Sequence, residues 1–129
     1  MPDTKKLLGP KALKLLGLAY TLLLTLLLLF PSADVTSLQL PYLDKAGHIS
    51  LFAFLVLIWA MYSWVKSEGV NARLGLIVVL SFFYGIVIEA LQELFFKPRT
   101  ADIWDVAANF VGILLGGLIF YVLRNIIVR

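Results

Sequence analysis

The chain has 129 residues and a formal net charge of +3, and 61% of its residues are hydrophobic whereas 15% are charged. A soluble domain is about 45–50% apolar and about 25% charged, so this composition excludes a disordered chain and argues against a soluble globule. Cysteine is absent, which excludes disulfides, cysteine–zinc sites and a thiol nucleophile. The composition therefore predicts a single integral membrane domain that covers residues 1–129.

Four apolar stretches have the length of a membrane-spanning helix, about 20 residues for a hydrocarbon core of roughly 30 Å. None alternates like a β-barrel strand, so the predicted fold class is all-α, a bundle of four transmembrane helices. A cleaved signal peptide is the alternative for the first stretch. A cut after Ala33 would place Pro31 where a small residue is needed, and we interpret the stretch as a retained helix. The predicted spans are 11–30, 44–65, 72–96 and 101–123.

The basic residues predict the orientation of the bundle, because Lys and Arg are concentrated in cytoplasmic loops. Eight of them lie near the two termini or beside the loop between the second and third spans, whereas the other side holds only Lys45, Lys97 and Arg99. Both termini are therefore predicted to be cytoplasmic. The same asymmetry explains the basic excess without a nucleic-acid partner.

Acidic, amide and imidazole side chains of three spans are concentrated in the other, outer half of the bundle. At about 100° per residue, the polar residues of each span share one face, as Asp44 and His48 do in the second. A carboxylate that faces lipid costs roughly 2.5–3.5 kcal/mol near the helix centre, so these faces should meet. The predicted cluster consists of Asp44, His48, Glu89, Gln92, Arg99, Asp102, Asp105 and Asn109.

Several members of the predicted cluster also have a structural interpretation. Asp44 suits the N-cap of the second helix, and Asp102 suits the positive end of the dipole of the fourth. His48 could be a hydrogen-bonded interior histidine, and Arg99 could pair with a neighbouring acid. The sequence leaves these alternatives open.

The deeper residues of the third and fourth spans are interpreted differently. Burial of Glu89 and Asn109 is expensive, which favours a functional role for them. Gly112 and Gly116 form a small-x-x-x-small pattern, which is typical of close helix packing. Four helices can enclose only a small cavity, so a homodimer is also considered, in which the two glycines form the contact between the copies.

No established catalytic motif is present: the chain has no glycine-rich phosphate loop, no His-Glu-x-x-His and no Gly-x-Ser-x-Gly. A histidine beside carboxylates suits general acid–base catalysis, so the catalytic candidates are His48, Glu89 and Asp105. Lys45 and Arg99 suit the binding of an anionic headgroup at the membrane surface. One histidine among scattered acids is a weak indication of a divalent metal, so neither a metal nor another cofactor is predicted.

The polar residues form three spaced motifs, Asp44-Lys45-x-x-His48, Glu89-x-x-Gln92 and Arg99-x-x-Asp102-x-x-Asp105-x-x-x-Asn109-x-x-Gly112-x-x-x-Gly116. Over about residues 40–117 this pattern resembles the VanZ-like family of small bacterial integral membrane proteins. The resemblance implies a multi-pass protein of the bacterial cytoplasmic (inner) membrane. The family is named after a member that raises resistance to the lipoglycopeptide teicoplanin. The resemblance assigns positions to the motif residues, and no reaction.

Together, these observations predict a polar site at the outer membrane face that binds or processes a lipid-linked envelope molecule or a lipophilic glycopeptide, as in teicoplanin resistance. The alternatives are a membrane-embedded hydrolase or transferase acting on a lipid-linked substrate, and a structural scaffold. Whether the chain is an enzyme stays open. The expected partners are membrane lipids and the lipid-linked or lipophilic ligand. The predicted substrate-binding residues are Asp44, Lys45, Gln92, Arg99, Asp102 and Asn109.

Overall fold

The computed structural model describes residues 9–30, 41–66, 70–95 and 103–128. Each of these ranges is long and apolar enough to cross a membrane, with mean hydropathies between 1.8 and 2.3. The all-α membrane bundle of four helices predicted from the sequence is thereby confirmed. In chain order the helices are α1 (Pro10–Leu29), α2 (Pro41–Lys66), α3 (Val70–Phe95) and α4 (Ile103–Val128).

Proline residues mark the start of α1 and of α2. Gly9 is extended, and Pro10 follows as the first residue of α1, where its missing N–H has no partner to lose. Helix α2 begins at Pro41, so Asp44 lies in the first turn of α2 and is not the N-cap that one interpretation of the sequence expected. Its carboxylate is still at the positive end of the helix dipole, as is that of Asp105 in α4.

Helix α2 is the centre of the bundle: it packs against each of the other three helices, and most extensively against α4. The extensive contact between α2 and α4 is possible because Gly112 and Gly116 of α4 lie directly on the backbone of α2. A Cβ atom on Gly112 would be 2.9 Å from Cα of Ile49, and one on Gly116 would be 3.0 Å from Cα of Ala53. Both glycines are covered inside the chain, so they are not available as the contact with a second copy that was considered above.

The core between the helices is apolar. Phe52, Val56, Ile88 and Ile113 are at most 2% exposed, and they belong to one buried cluster that draws on α1 as well. Large apolar side chains also cover the outside of all four helices. On a soluble protein so much exposed apolar surface would drive aggregation, whereas here it is the surface that contacts lipid.

Helix α1 is joined to α2 and α3 by hydrogen bonds in its apolar interior. Thr21 Oγ1 donates to the Gly17 carbonyl over 2.7 Å and accepts a 3.0 Å bond from Nε1 of Trp59. Thr25 Oγ1 donates to the Thr21 carbonyl, so the hydroxyl of Tyr84 is the donor in the 2.6 Å bond between them. The apolar composition of the first span did not single out these threonines.

Candidate functional site

The candidate site lies at the end of the bundle where α2 and α4 begin and α1 and α3 end, which we call the site end. His48 is seven residues after the start of α2, Asn109 is six after the start of α4, and Glu89 is six before the end of α3. At 1.5 Å per residue, all three lie roughly 9–11 Å from the helix ends. The three helices therefore bring their polar residues to a common depth.

An ammonium group between two carboxylates forms the outer part of the site. Lys45 of α2 donates a hydrogen bond from Nζ to Oδ1 of Asp105 in α4. The same Nζ lies 3.6 Å from Oδ2 of Asp44. The Asp105 side chain is 14% exposed and that of Asp44 is 47% exposed, so the Lys45–Asp105 pair is the less solvated one. Because low solvation strengthens an ion pair, this contact is the firmer electrostatic link between α2 and α4.

The inner part of the site is a buried histidine–amide pair. His48 is 5% exposed and Asn109 is 2% exposed. Nδ1 of His48 lies 2.7 Å from Oδ1 of Asn109, and since an amide oxygen only accepts, Nδ1 carries the proton of this bond. Nε2 of His48 then points at Oδ1 of Asp44 and Oδ1 of Asp105, each 3.8 Å away. Those distances are too long for hydrogen bonds, so Asn109 fixes the imidazole while Nε2 faces the carboxylates.

A glycine in α3 makes room for the amide of Asn109. A Cβ atom on Gly85 would lie 3.3 Å from Nδ2 of Asn109 and 3.2 Å from the ring of Phe52. Nδ2 is buried and has no hydrogen-bond partner among the residues that the structure describes. Gly85 shares the polar face of α3, and this contact is a role that the sequence did not reveal.

Two polar residues of α3 are buried at the same end of the bundle. Glu89 is 3% exposed and Gln92 is 2% exposed. Nε2 of Gln92 donates to the carbonyl oxygen of Leu28, one of the last four carbonyls of α1, which have no i+4 partner inside their own helix. Gln92 therefore ties α3 to the end of α1 and uses its amide for that contact.

The structure thus brings five of the predicted site residues into one cluster, namely Asp44, Lys45, His48, Asp105 and Asn109. Arg99 and Asp102 lie outside the described residues. Within the described ranges, the donor atoms of Asp44, His48 and Asp105 lie within 4.8 Å of one another, so these three residues could hold a cation. Chemically, the cluster offers carboxylate acceptors, one ammonium donor and an imidazole of fixed orientation.

Comparison with known proteins gives one match, which is to a protein-family model. No curated protein and no solved structure matches the chain. A protein-family model with the description VanZ/LLP1 matches residues 17–124, which cover α1 from Gly17 onward, all of α2 and α3, and most of α4. The matched range includes every residue of the cluster, and it confirms the resemblance that the spaced motifs carried. The chain is a multi-pass membrane protein that belongs to the VanZ/LLP1 family.

Proposed function

We propose that the protein binds the polar headgroup of a lipid-linked envelope molecule, or of a lipophilic glycopeptide, at the cluster around His48. In this proposal the site end faces the outside of a bacterial cytoplasmic membrane and both termini are cytoplasmic. The observation that carries the proposal is the buried His48–Asn109 pair beneath the Asp44–Lys45–Asp105 ion cluster.

An energetic comparison supports a ligand-binding role over a purely structural one. A charged side chain costs roughly 2.5–3.5 kcal/mol on insertion scales at the centre of a membrane helix, and less near the helix end, where this cluster lies. A polar contact between membrane helices stabilises by only about 0.6 kcal/mol on average. Helix packing is already provided by the glycine contacts of α4 and by the apolar core. The contacts within a cluster of two acids, an ammonium and an imidazole therefore stabilise the bundle too little to explain the cost of inserting these charges.

The charges of the site suggest how a headgroup is recognised. The carboxylates of Asp44 and Asp105 accept hydrogen bonds from hydroxyl and amide N–H groups, which sugar- and peptide-bearing headgroups offer in number. Lys45 already contacts Asp105, so an anionic group on the ligand would share this ammonium with that carboxylate. The isoprenoid or acyl part of the ligand would remain beside the apolar outer surface of the bundle.

Binding is tested with the full chain in lipid nanodiscs and a fluorescent lipid-linked disaccharide-pentapeptide. We expect His48→Ala and Asp105→Asn to weaken binding at least about tenfold, the free-energy equivalent of one or two hydrogen bonds to a charged group. Glu93→Gln is the matched control, because Glu93 is an exposed acid of α3 outside the cluster. Site variants that insert, melt and bind like the unaltered chain would refute the proposal.

The orientation has its own test, which the lack of native cysteine makes simple. Single cysteines at Glu93, near the site end, and at Asn125, at the opposite end, are exposed positions. A membrane-impermeant maleimide added to intact cells should label the first and spare the second. The reverse pattern would place the cluster at the cytoplasmic face.

A hydrolase or transferase acting on the same class of ligand is the second candidate. It is favoured by the fixed imidazole, because a general base must be held with one nitrogen directed at the reacting group. Incubation with a radiolabelled lipid-linked substrate separates the two candidates. Product that disappears in His48→Ala supports the enzyme, whereas binding without product supports the binding protein.

A further inference from the structure

We propose that Asp44, His48 and Asp105 form a binding site for a divalent transition-metal ion. One donor atom from each residue lies within 4.8 Å of the others. The donors come from two helices whose contact is the most extensive in the bundle, so the backbone already holds them in place. The inference concerns the same cluster as the proposed function, but it does not require a lipid ligand.

The second observation is the state of His48. The residue is 95% buried, and among the described residues its Nε2 atom has no hydrogen-bond partner, although it is aimed between two carboxylate oxygens at 3.8 Å. With the proton of the Asn109 bond on Nδ1, Nε2 faces two carboxylate oxygens, an arrangement that a cation bound by all three atoms would stabilise. Histidine ligands of metal ions donate their other N–H to an oxygen acceptor in this way, and Asn109 is that acceptor here.

The donor set and spacing indicate the class of metal. Zinc–nitrogen and zinc–oxygen bonds of about 2.0–2.2 Å place tetrahedral ligands about 3.3–3.5 Å apart. The two 3.8 Å separations of Nε2 from the carboxylates come close to this spacing, and all three donor atoms lie within 4.8 Å of one another, so rotation of the two carboxylates would close the site. One imidazole and two carboxylates suit Zn²⁺ or Mn²⁺ better than Mg²⁺ or Ca²⁺, which prefer oxygen ligands throughout.

Lys45 is the internal competitor of the metal. Its ammonium bonds to Asp105 and lies 3.6 Å from Asp44, so it occupies the side of the carboxylates that a cation would take. Its side chain is 29% exposed and long enough to turn outward. Two carboxylates and one ammonium carry a net negative charge, whereas two carboxylates and a dication sum to zero, so the exchange neutralises the site. Three protein ligands leave a coordination position open, and if the proposed function holds, an anionic headgroup oxygen would fill it.

The exchange predicts opposite effects of two substitutions at one site. Asp105→Asn removes a ligand and should weaken Zn²⁺ binding at least about tenfold, as should Asn109→Ala, since removal of a metal ligand's hydrogen-bond partner typically costs about 10–100-fold in affinity. Lys45→Met removes the competing charge and should tighten binding at least about threefold. A gain of affinity cannot come from a damaged fold, so Lys45→Met keeps the proposal testable even if other variants are unstable.

The experiment is calorimetric titration of the chelator-treated full chain in detergent with Zn²⁺ alone and with Mn²⁺ alone. Exposed residues outside the cluster provide the controls Glu93→Gln and Lys14→Met, which should bind like the unaltered chain. Binding of one ion per chain, weakened in Asp105→Asn and Asn109→Ala and tightened in Lys45→Met, supports the site. No stoichiometric binding, equal affinity in Asp105→Asn, or no gain in Lys45→Met overturns it. Repeating the lipid-binding assay with chelator present tests the proposed function separately.

Discussion

Substitution of Gly112 by alanine tests the geometry on which the whole site depends. The new Cβ would lie 2.9 Å from Cα and from the carbonyl carbon of Ile49, whereas ordinary contacts are 3.4–4 Å. The atoms in the way belong to the backbone of α2, so they cannot rotate aside as a side chain would. The two helices must therefore separate by about 0.5–1 Å, the difference between these distances.

The size of the effect follows from two opposed terms. Alanine is favoured over glycine in a helix interior by about 1 kcal/mol. Overpacking of a tightly packed contact costs typically about 1–3 kcal/mol. We expect a net loss of roughly 1–2 kcal/mol in the free energy of unfolding, with overpacking dominant because the contact is with backbone. Since Ile49 follows His48 and Gly112 is one turn from Asn109, the separation should also lengthen their 2.7 Å hydrogen bond.

The assay is thermal unfolding in detergent, followed by tryptophan fluorescence, together with ligand or Zn²⁺ binding. Gly117→Ala is the matched control, because its Cβ would meet only Cγ2 of Val78, at an ordinary 3.8 Å. Gly112→Ala should melt at a lower temperature and bind more weakly, and Gly117→Ala should do neither. If the two variants melt together and bind like the unaltered chain, the close approach of α2 and α4 is not what positions His48 and Asn109.

Two further substitutions test how α1 is attached. Gln92→Leu removes the donor to the Leu28 carbonyl and should destabilise the protein by about 0.5–1.5 kcal/mol in chemical unfolding, the net contribution of one hydrogen bond; a neutral or stabilising result would contradict this contact. Tyr84→Phe removes the hydrogen bond to Thr25 and should cost about 0.6 kcal/mol, and at most about 1.7, in the same assay. Tyr121→Phe, at an exposed position, is its control and should cost nothing; equal losses in the two tyrosine variants would show that the bond to Thr25 is not what matters.

Much of the fold could be predicted because the bilayer imposes simple requirements on a sequence. Apolar runs of about 20 residues become helices, and charged residues within them must find partners other than lipid. From the second requirement we could predict that His48 and Asp105 lie in one cluster, although they come from different helices. It does not specify contacts, so it could not distinguish the Lys45–Asp105 bond from other pairings within the cluster.

The remaining contacts could not be predicted because their partners are backbone atoms or carry little polarity. Gln92 binds the main-chain carbonyl of Leu28, and every residue has a carbonyl, so no sequence pattern marks this one. Thr21 and Thr25 donate to carbonyls inside α1, a contact that any threonine in a helix can make, so the sequence does not mark them. The start of α2 at Pro41, rather than near Asp44, moved that acid from a cap into the first turn.

The hydrogen bonds of α1 have a consequence for what happens if the polypeptide is cut between Phe30 and Pro41. Departure of the severed helix would leave Nε1 of Trp59, the hydroxyl of Tyr84 and the amide of Gln92 facing acyl chains, each at a penalty of several kcal/mol. The two fragments should therefore stay associated in the bilayer as a noncovalent pair.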